Sequence, residues 1–235
     1  MPDAVNQLVS EARLRIAEAA DPERAPQMQA YMKSAMPYRG VTSVPLRALC
    51  KRVFDAHPMP DRSSWELAVR ELWDGASYRE ERYAAMALTS HRVYRRHQDP
   101  DTLLLYRHLV VTGAWWDYVD SVASHNVGGI LTTHPDEVTP VVRSWARDDD
   151  LWIRRTSIIC QLGRKAETDT DLLRYAVESN LEDSRFGSEF FIRKAIGWAL
   201  RQHARVDPDW VRSFVTEHHD RLSGLSRREA LKHLG

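Results

Sequence analysis

Apolar residues recur along this chain at intervals of three and four, the spacing of one face of an α-helix, and no stretch shows the alternation of a strand. Val5, Leu8, Val9, Ala12 and Ile16 form a first stripe. After Ser63-Ser64, Trp65, Leu67, Ala68, Leu72 and Trp73 form another, and Tyr83, Met86, Ala87, Val93 and Tyr94 continue the pattern. Leu103, Leu104, Leu105, Leu109 and Val110 follow the initiation signal Asp99-Pro100. Val119, Val122, Ile130 and Leu131 come after Gly113, then Val138, Val141, Val142 and Trp145 after Pro135, then Trp152, Thr156, Ile159 and Cys160 before Gly163. The last helices are predicted at 168–180, 188–204, 207–219 and 225–233.

These signals add up to about a dozen helices of roughly 10–17 residues, joined by short segments rich in Pro, Gly and Asp. Long heptads are lacking, so a coiled coil or four-helix bundle fits poorly. Helix pairs stacked into a superhelix fit better, with an irregular helical bundle as the alternative, since no repeat motif returns letter for letter. A superhelix of this kind has a long inner face suited to an extended partner.

The chain of 235 residues is long enough to bury a core without staples, and the whole of 1–235 is read as one helical-repeat domain. Cys50 and Cys160 stand far apart and form no CxxC unit, which suggests neither a disulfide framework nor a zinc site and fits a reducing cytoplasm. The first twenty residues lack the apolar run of a signal peptide, and no segment reaches the length of a membrane span. The formal net charge is zero, with 33 basic and 33 acidic residues, which counts modestly against nucleic acid as a partner. Distribution matters more than the sum. Arg154-Arg155, Arg164-Lys165, Arg193-Lys194, Arg201, Arg205 and Arg227-Arg228 concentrate base in the second half. Asp148, Asp149, Asp150, Asp169, Asp171 and Asp183 fall largely between helices, where caps and turns use them.

Candidate chemistry centres on Trp115-Trp116-Asp117-Tyr118-Val119-Asp120. Trp115, Val119 and Val122 make the core stripe there, which leaves Trp116 and Asp120 stacked on one face about 100° away. An indole beside a carboxylate suits a site that stabilises positive charge and orients water. The same spacing also fits a Trp packed on a neighbouring helix and an Asp paired with an arginine. Arg154 and Arg155 flank the buried stripe Trp152, Thr156, Ile159 and offer forked donors for phosphate, or for surface ion pairs. In 190–202, Phe191, Ala195, Trp198 and Gln202 share one face, Arg193, Lys194 and Arg201 populate the rest, and Gly197 permits a close helix contact. Tyr31 ends a helix before the joint Pro37-Tyr38-Arg39-Gly40. The histidines match no ligand spacing such as HExxH, so no metal is expected. Walker, GxGxxG and GxSxG motifs are absent, which leaves phosphoryl transfer, dinucleotide and α/β-hydrolase chemistry unsupported.

Four segments in order, YMKSAMPYRGV at 31–41, GAWWDYVDSVA at 113–123, DDLWIRRTSII at 149–159 and FFIRKAIGWALRQ at 190–202, resemble the AlkD-like DNA alkylation repair proteins. The resemblance covers nearly the whole chain. It implies an all-α, C-shaped solenoid of HEAT-like repeats, monomeric, without a cofactor, whose concave face holds duplex DNA containing alkylated bases. The implied activity is hydrolysis of the N-glycosidic bond of cationic N3- or N7-alkylated purines, leaving an abasic site without swinging the base into a pocket. The family's catalytic tryptophan and aspartate correspond to Trp116 and Asp120, and its site arginine to Arg155, with Arg154 as the adjacent alternative. Cleft aromatic residues correspond to Trp198 and Tyr31, and Arg193 and Lys194 join the DNA-binding set. The competing accounts are a helical-repeat protein that binds DNA structures without excision, and a scaffold that grips a protein partner.

Overall fold

The computed structural model describes residues 2–234, and among them every regular element is helical. The helices group into two compact units, one running up to His97 and the other starting at Gln98. No helix of the described residues is long and apolar enough to cross a membrane.

The first unit holds α1 (Pro2–Glu18), α2 (Ala25–Met32), α3 (Ser43–Ala56), α4 (Arg62–Asp74) and α5 (Arg79–Thr89), followed by a 3-10 turn at Arg92–His97. The stripe of α1 is buried as its spacing predicts, from Val5 to Ile16. On α4, Trp65, Ala68, Leu72 and Trp73 are buried, but Leu67 is exposed and Val69 takes the core position. Helix α5 departs from the predicted face. Ala84, Ala85 and Leu88 are buried, along with Glu80 and Glu81, while Tyr83, Met86 and Ala87 lie at the margin. The reason is Glu80. Its carboxylate accepts the backbone N–H groups of Arg39, Gly40 and Val41 at 2.9, 2.9 and 3.1 Å. An anion that receives three amides is stable inside a core, and it turns the helix to present itself.

The second unit holds α6 (Leu103–Gly113), α7 (Trp116–Ser121), a π-helical stretch at Val122–Val127, α8 (Gly128–Thr133), α9 (Pro135–Trp145) and α10 (Leu151–Ile159). It continues with α11 (Thr170–Glu178), α12 (Phe190–His203), α13 (Pro208–Glu217) and α14 (Gly224–Ala230). Helices α11, α12 and α13 lie inside the predicted spans, and α14 starts one residue before its predicted span and ends three residues short of its end. Helix starts are set by aspartates and a serine. Asp150 accepts from the N–H groups of Trp152 and Ile153, Asp169 from Leu172, Asp207 from Trp210 and Ser223 from Ser226. Each such cap stabilises its helix by about 1 kcal/mol.

Ile159, Ile192, Ala195, Leu200, Val211 and Phe214 form the centre of this unit's core. Each large aliphatic or aromatic side chain so buried contributes roughly 1.5–3 kcal/mol. Helix α12 is the hub, packed on α10, α13 and α14. Glycine sets two of the close approaches. A Cβ on Gly197 would stand 2.5 Å from that of Glu229, and one on Gly128 would stand 2.2 Å from the carbonyl oxygen of Cys160. The close contact predicted for Gly197 is therefore made with α14. Cys50 and Cys160 are both buried free thiols.

Candidate active site

Helix α6 ends with Ala114 in the left-handed region (φ 43°), and Trp115 follows in extended backbone (φ −149°, ψ 144°). This turn sends Trp115 away from the α7 stripe. Its ring lies 6.3 Å from Trp152 and 5.6 Å from Phe191, and those two lie 4.9 Å apart. Three aromatic rings thus pin the starts of α7, α10 and α12 together. Tyr118, Val119 and Val122 face the core, so Trp116 and Asp120 are left half-buried on the opposite side.

The chain after Asp120 continues without a break through the π-helical stretch into α8. Single π turns inside α-helices occur most often beside functional groups, because the extra residue re-aims the flanking side chains. Ser124 donates its hydroxyl to the Asp120 carbonyl at 2.6 Å, which stabilises the junction.

Asp120 is held by Arg155. The guanidinium donates from Nε to Oδ1 at 2.7 Å and from Nη2 to Oδ2 at 2.9 Å, and its Nη1 donates to the Phe191 carbonyl. Both arginines of α10 are buried, where the sequence pattern places them on the flank. They point to different partners. Arg154 donates to the carbonyls of Asp148 and Arg147 at 2.6 and 3.3 Å, and to the Asn180 side chain at 3.4 Å. With its fork spent on these acceptors, Arg154 closes the α9–α10 turn and is absent from the lining of the cleft. Of the two arginines, Arg155 is the one that contacts Asp120.

One cleft of about 370 Å³ is lined by Trp116, Asp120, Arg155, Phe190, Phe191, Lys194, Trp198, Arg201 and Glu229. Lys194, Trp198 and Arg201 stand at i, i+4 and i+7 of α12 and so form one stripe facing it. Asp120 and Trp198 also border a second hollow with Ser121, Ser124, His125 and Gln202, so the carboxylate is approached from two sides. Burial pushes the Asp120 pKa above the usual carboxylate range, while the hydrogen bonds and charge of Arg155 draw it back. Glu229 bridges Lys194 at 3.1 Å and Arg201, and the Lys194 hydrogen bond and then both cations hold its pKa below the ordinary value.

Arg193 is half-buried and does not line the cleft. Tyr31 belongs to the first unit, where it is 77% exposed at the end of α2. Sequence reasoning missed Glu229 and the direct part played by Phe190, Phe191 and Arg201 in the lining. The aromatic pair was visible as an amphipathic cluster. Glu229 had no local signal, because it reaches the cleft only through the crossing at Gly197.

The fold and cleft define an all-α helical-repeat protein with a carboxylate, an arginine fork and indoles gathered in one wall. The family model for DNA alkylation repair enzymes matches residues 12–234, and the chain belongs to this AlkD-like family. A solved structure described as a "Predicted DNA alkylation repair enzyme from Enterococcus faecalis" is similar, with a TM-score of 0.80 and 30% identity over 92% of this chain and 97% of that one. No curated protein matches the chain.

Proposed function

We propose that this protein is a DNA glycosylase that hydrolyses the N-glycosidic bond of cationic N3- or N7-alkylated purines in duplex DNA, with Trp116, Asp120 and Arg155 as the residues of the reaction. The observation that carries this reading is the convergence of Trp116, Asp120, Arg155 and Trp198 on a single cleft. A non-catalytic DNA binder or a protein-gripping scaffold has no need to orient a half-buried carboxylate with an arginine fork.

The chemistry follows from the leaving group. An alkylated purine already carries positive charge, so no strong acid is needed to expel it. The C1′–N bond breaks with its electron pair passing to the purine, which leaves neutral, and an oxocarbenium-like sugar develops. Asp120 faces that charge and stabilises it electrostatically. A water adds to C1′ and its proton passes to Asp120 and on to solvent, giving the abasic site. Trp116 and Trp198 supply π-faces to the cationic nucleotide, each worth about 0.5–2 kcal/mol.

Arg155 acts through Asp120. In the free protein its donors are committed to that carboxylate and to the Phe191 carbonyl. It therefore orients the acid and favours its ionised form, rather than gripping phosphate. The cleft lining is aromatic and charged, which suits a cationic sugar. The reading takes the base to stay in the stack during excision.

The test is release of free N7-methylguanine and N3-methyladenine from methylated duplex. The wild type is expected to release both, and Asp120→Asn to lose at least about 100-fold in single-turnover rate. Absence of release above the spontaneous rate, from folded protein at low salt, would overturn the enzyme reading.

A further inference from the structure

Glu229 is the one acidic side chain in the cleft besides Asp120, and it does something different. Its two carboxylate oxygens take separate cations, Oε1 facing Lys194 at 3.1 Å and Oε2 facing Arg201. Those cations sit on either side of Trp198 along the α12 stripe. We propose that Lys194 and Arg201 form a seat for one DNA backbone phosphate, and that Glu229 occupies this seat in the free protein and yields it when DNA binds. The proposal rests on the reading of the cleft as a DNA glycosylase site.

Three observations point this way. A carboxylate that bridges two cations through separate oxygens reproduces how a phosphodiester presents its two non-bridging oxygens. The cluster carries two positive charges against one negative, so it attracts anions even when closed. The side chains of Lys194, Arg201 and Glu229 remain 38%, 20% and 19% exposed and line an open cleft, so a phosphate can reach the cluster. Position completes the argument. A phosphate at this seat would lie in the same cleft as Trp198 and Asp120. Gly197 makes the competition possible, since only its missing side chain brings α14 close enough for Glu229 to reach both cations.

The alternative is that Glu229 merely braces α12 against α14. Binding of an undamaged duplex, measured between about 50 and 200 mM salt, separates the two, with thermal unfolding as the check on folding. Glu229→Gln is expected to tighten binding about 3- to 10-fold at the lower salt. Lys194→Gln and Arg201→Gln are each expected to weaken binding and flatten the log K against log salt slope by about one. In a Lys194→Gln, Arg201→Gln background, the gain from Glu229→Gln should vanish.

Unchanged affinity in a folded Glu229→Gln protein would overturn the proposal, as would weaker binding. Should that variant fail to fold, unchanged slopes in both cation variants would overturn it as well. Failure of wild type to bind duplex at low salt would do the same. Base release is scored separately. Release with unaltered slopes sinks the phosphate seat and leaves the glycosylase standing, whereas altered slopes without release do the reverse.

Discussion

At the scale of single residues the site turns on one ion pair with unequal partners. Arg155 is 5% exposed and Asp120 is 16% exposed, so burial raises the carboxyl pKa and Arg155 lowers it. The proposed reaction uses the ionised acid. The rate should therefore fall as pH drops through a pKa above the ordinary value of about 3.9, which places the acid limb higher than for a solvated aspartate. Arg155→Gln removes the group that favours ionisation, and its acid limb should move further up. At neutral pH this variant is expected to lose about 100-fold or more in single-turnover rate, with part of the loss recovered at higher pH. A pH–rate profile of both proteins, corrected for spontaneous base loss, checks the sign. A limb that stays in place or moves down would remove Arg155 from this role. Arg155→Lys keeps the charge but not the two-point grip, so it should preserve the limb better than it preserves the rate.

At the scale of helices the fold depends on contacts that local pattern only partly reveals. Gly197→Ala puts a methyl 2.5 Å from the Glu229 Cβ and 3.1 Å from the Ser226 carbonyl oxygen. Such overpacking costs about 1–3 kcal/mol, and a lowered thermal midpoint is the expected reading. Glu80→Ala should cost more, about 3 kcal/mol, because it strips an anion from three buried amides of 39–41. Urea unfolding measures both, and a Glu80→Ala loss below about 1 kcal/mol would mean that water replaces the carboxylate there. These two positions also mark what the sequence conceals. The stripe of α1, the spans of α11, α12 and α13, the aspartate caps and the aromatic–acid pair on α7 were legible because helix periodicity and capping are local. The buried face of α5 was not, since Glu80 is stabilised by amides about forty residues away. Burial of both Arg154 and Arg155, and their division between a turn and Asp120, came from packing against neighbouring helices. The π-helical stretch after Ser121 carries no letter pattern that separates it from ordinary helix.

At the scale of the whole molecule the governing fact is electrical balance. With 33 residues of each sign, net charge gives DNA no attraction, so affinity must come from where particular cations sit. Several of these cations are already paired, as Lys194 and Arg201 are with Glu229. Binding and chemistry should therefore respond to salt very differently. Counterion release makes duplex affinity fall steeply with salt, at a log–log slope near −0.9 per neutralised phosphate. The chemical step as proposed runs on Asp120, Arg155 and the indoles within a half-buried cleft, where screening by mobile ions is weak. Raising salt from about 50 to 200 mM should lower the subsaturating excision rate by about 10-fold or more if two or more phosphates are neutralised, while the rate at saturating protein changes less than about 2-fold. Single-turnover kinetics over a protein titration at each salt separates the two quantities. A saturated rate that falls in step with affinity would mean that a phosphate contact is made in the transition state and not merely on binding, and that cation would then belong to the catalytic set beside Asp120.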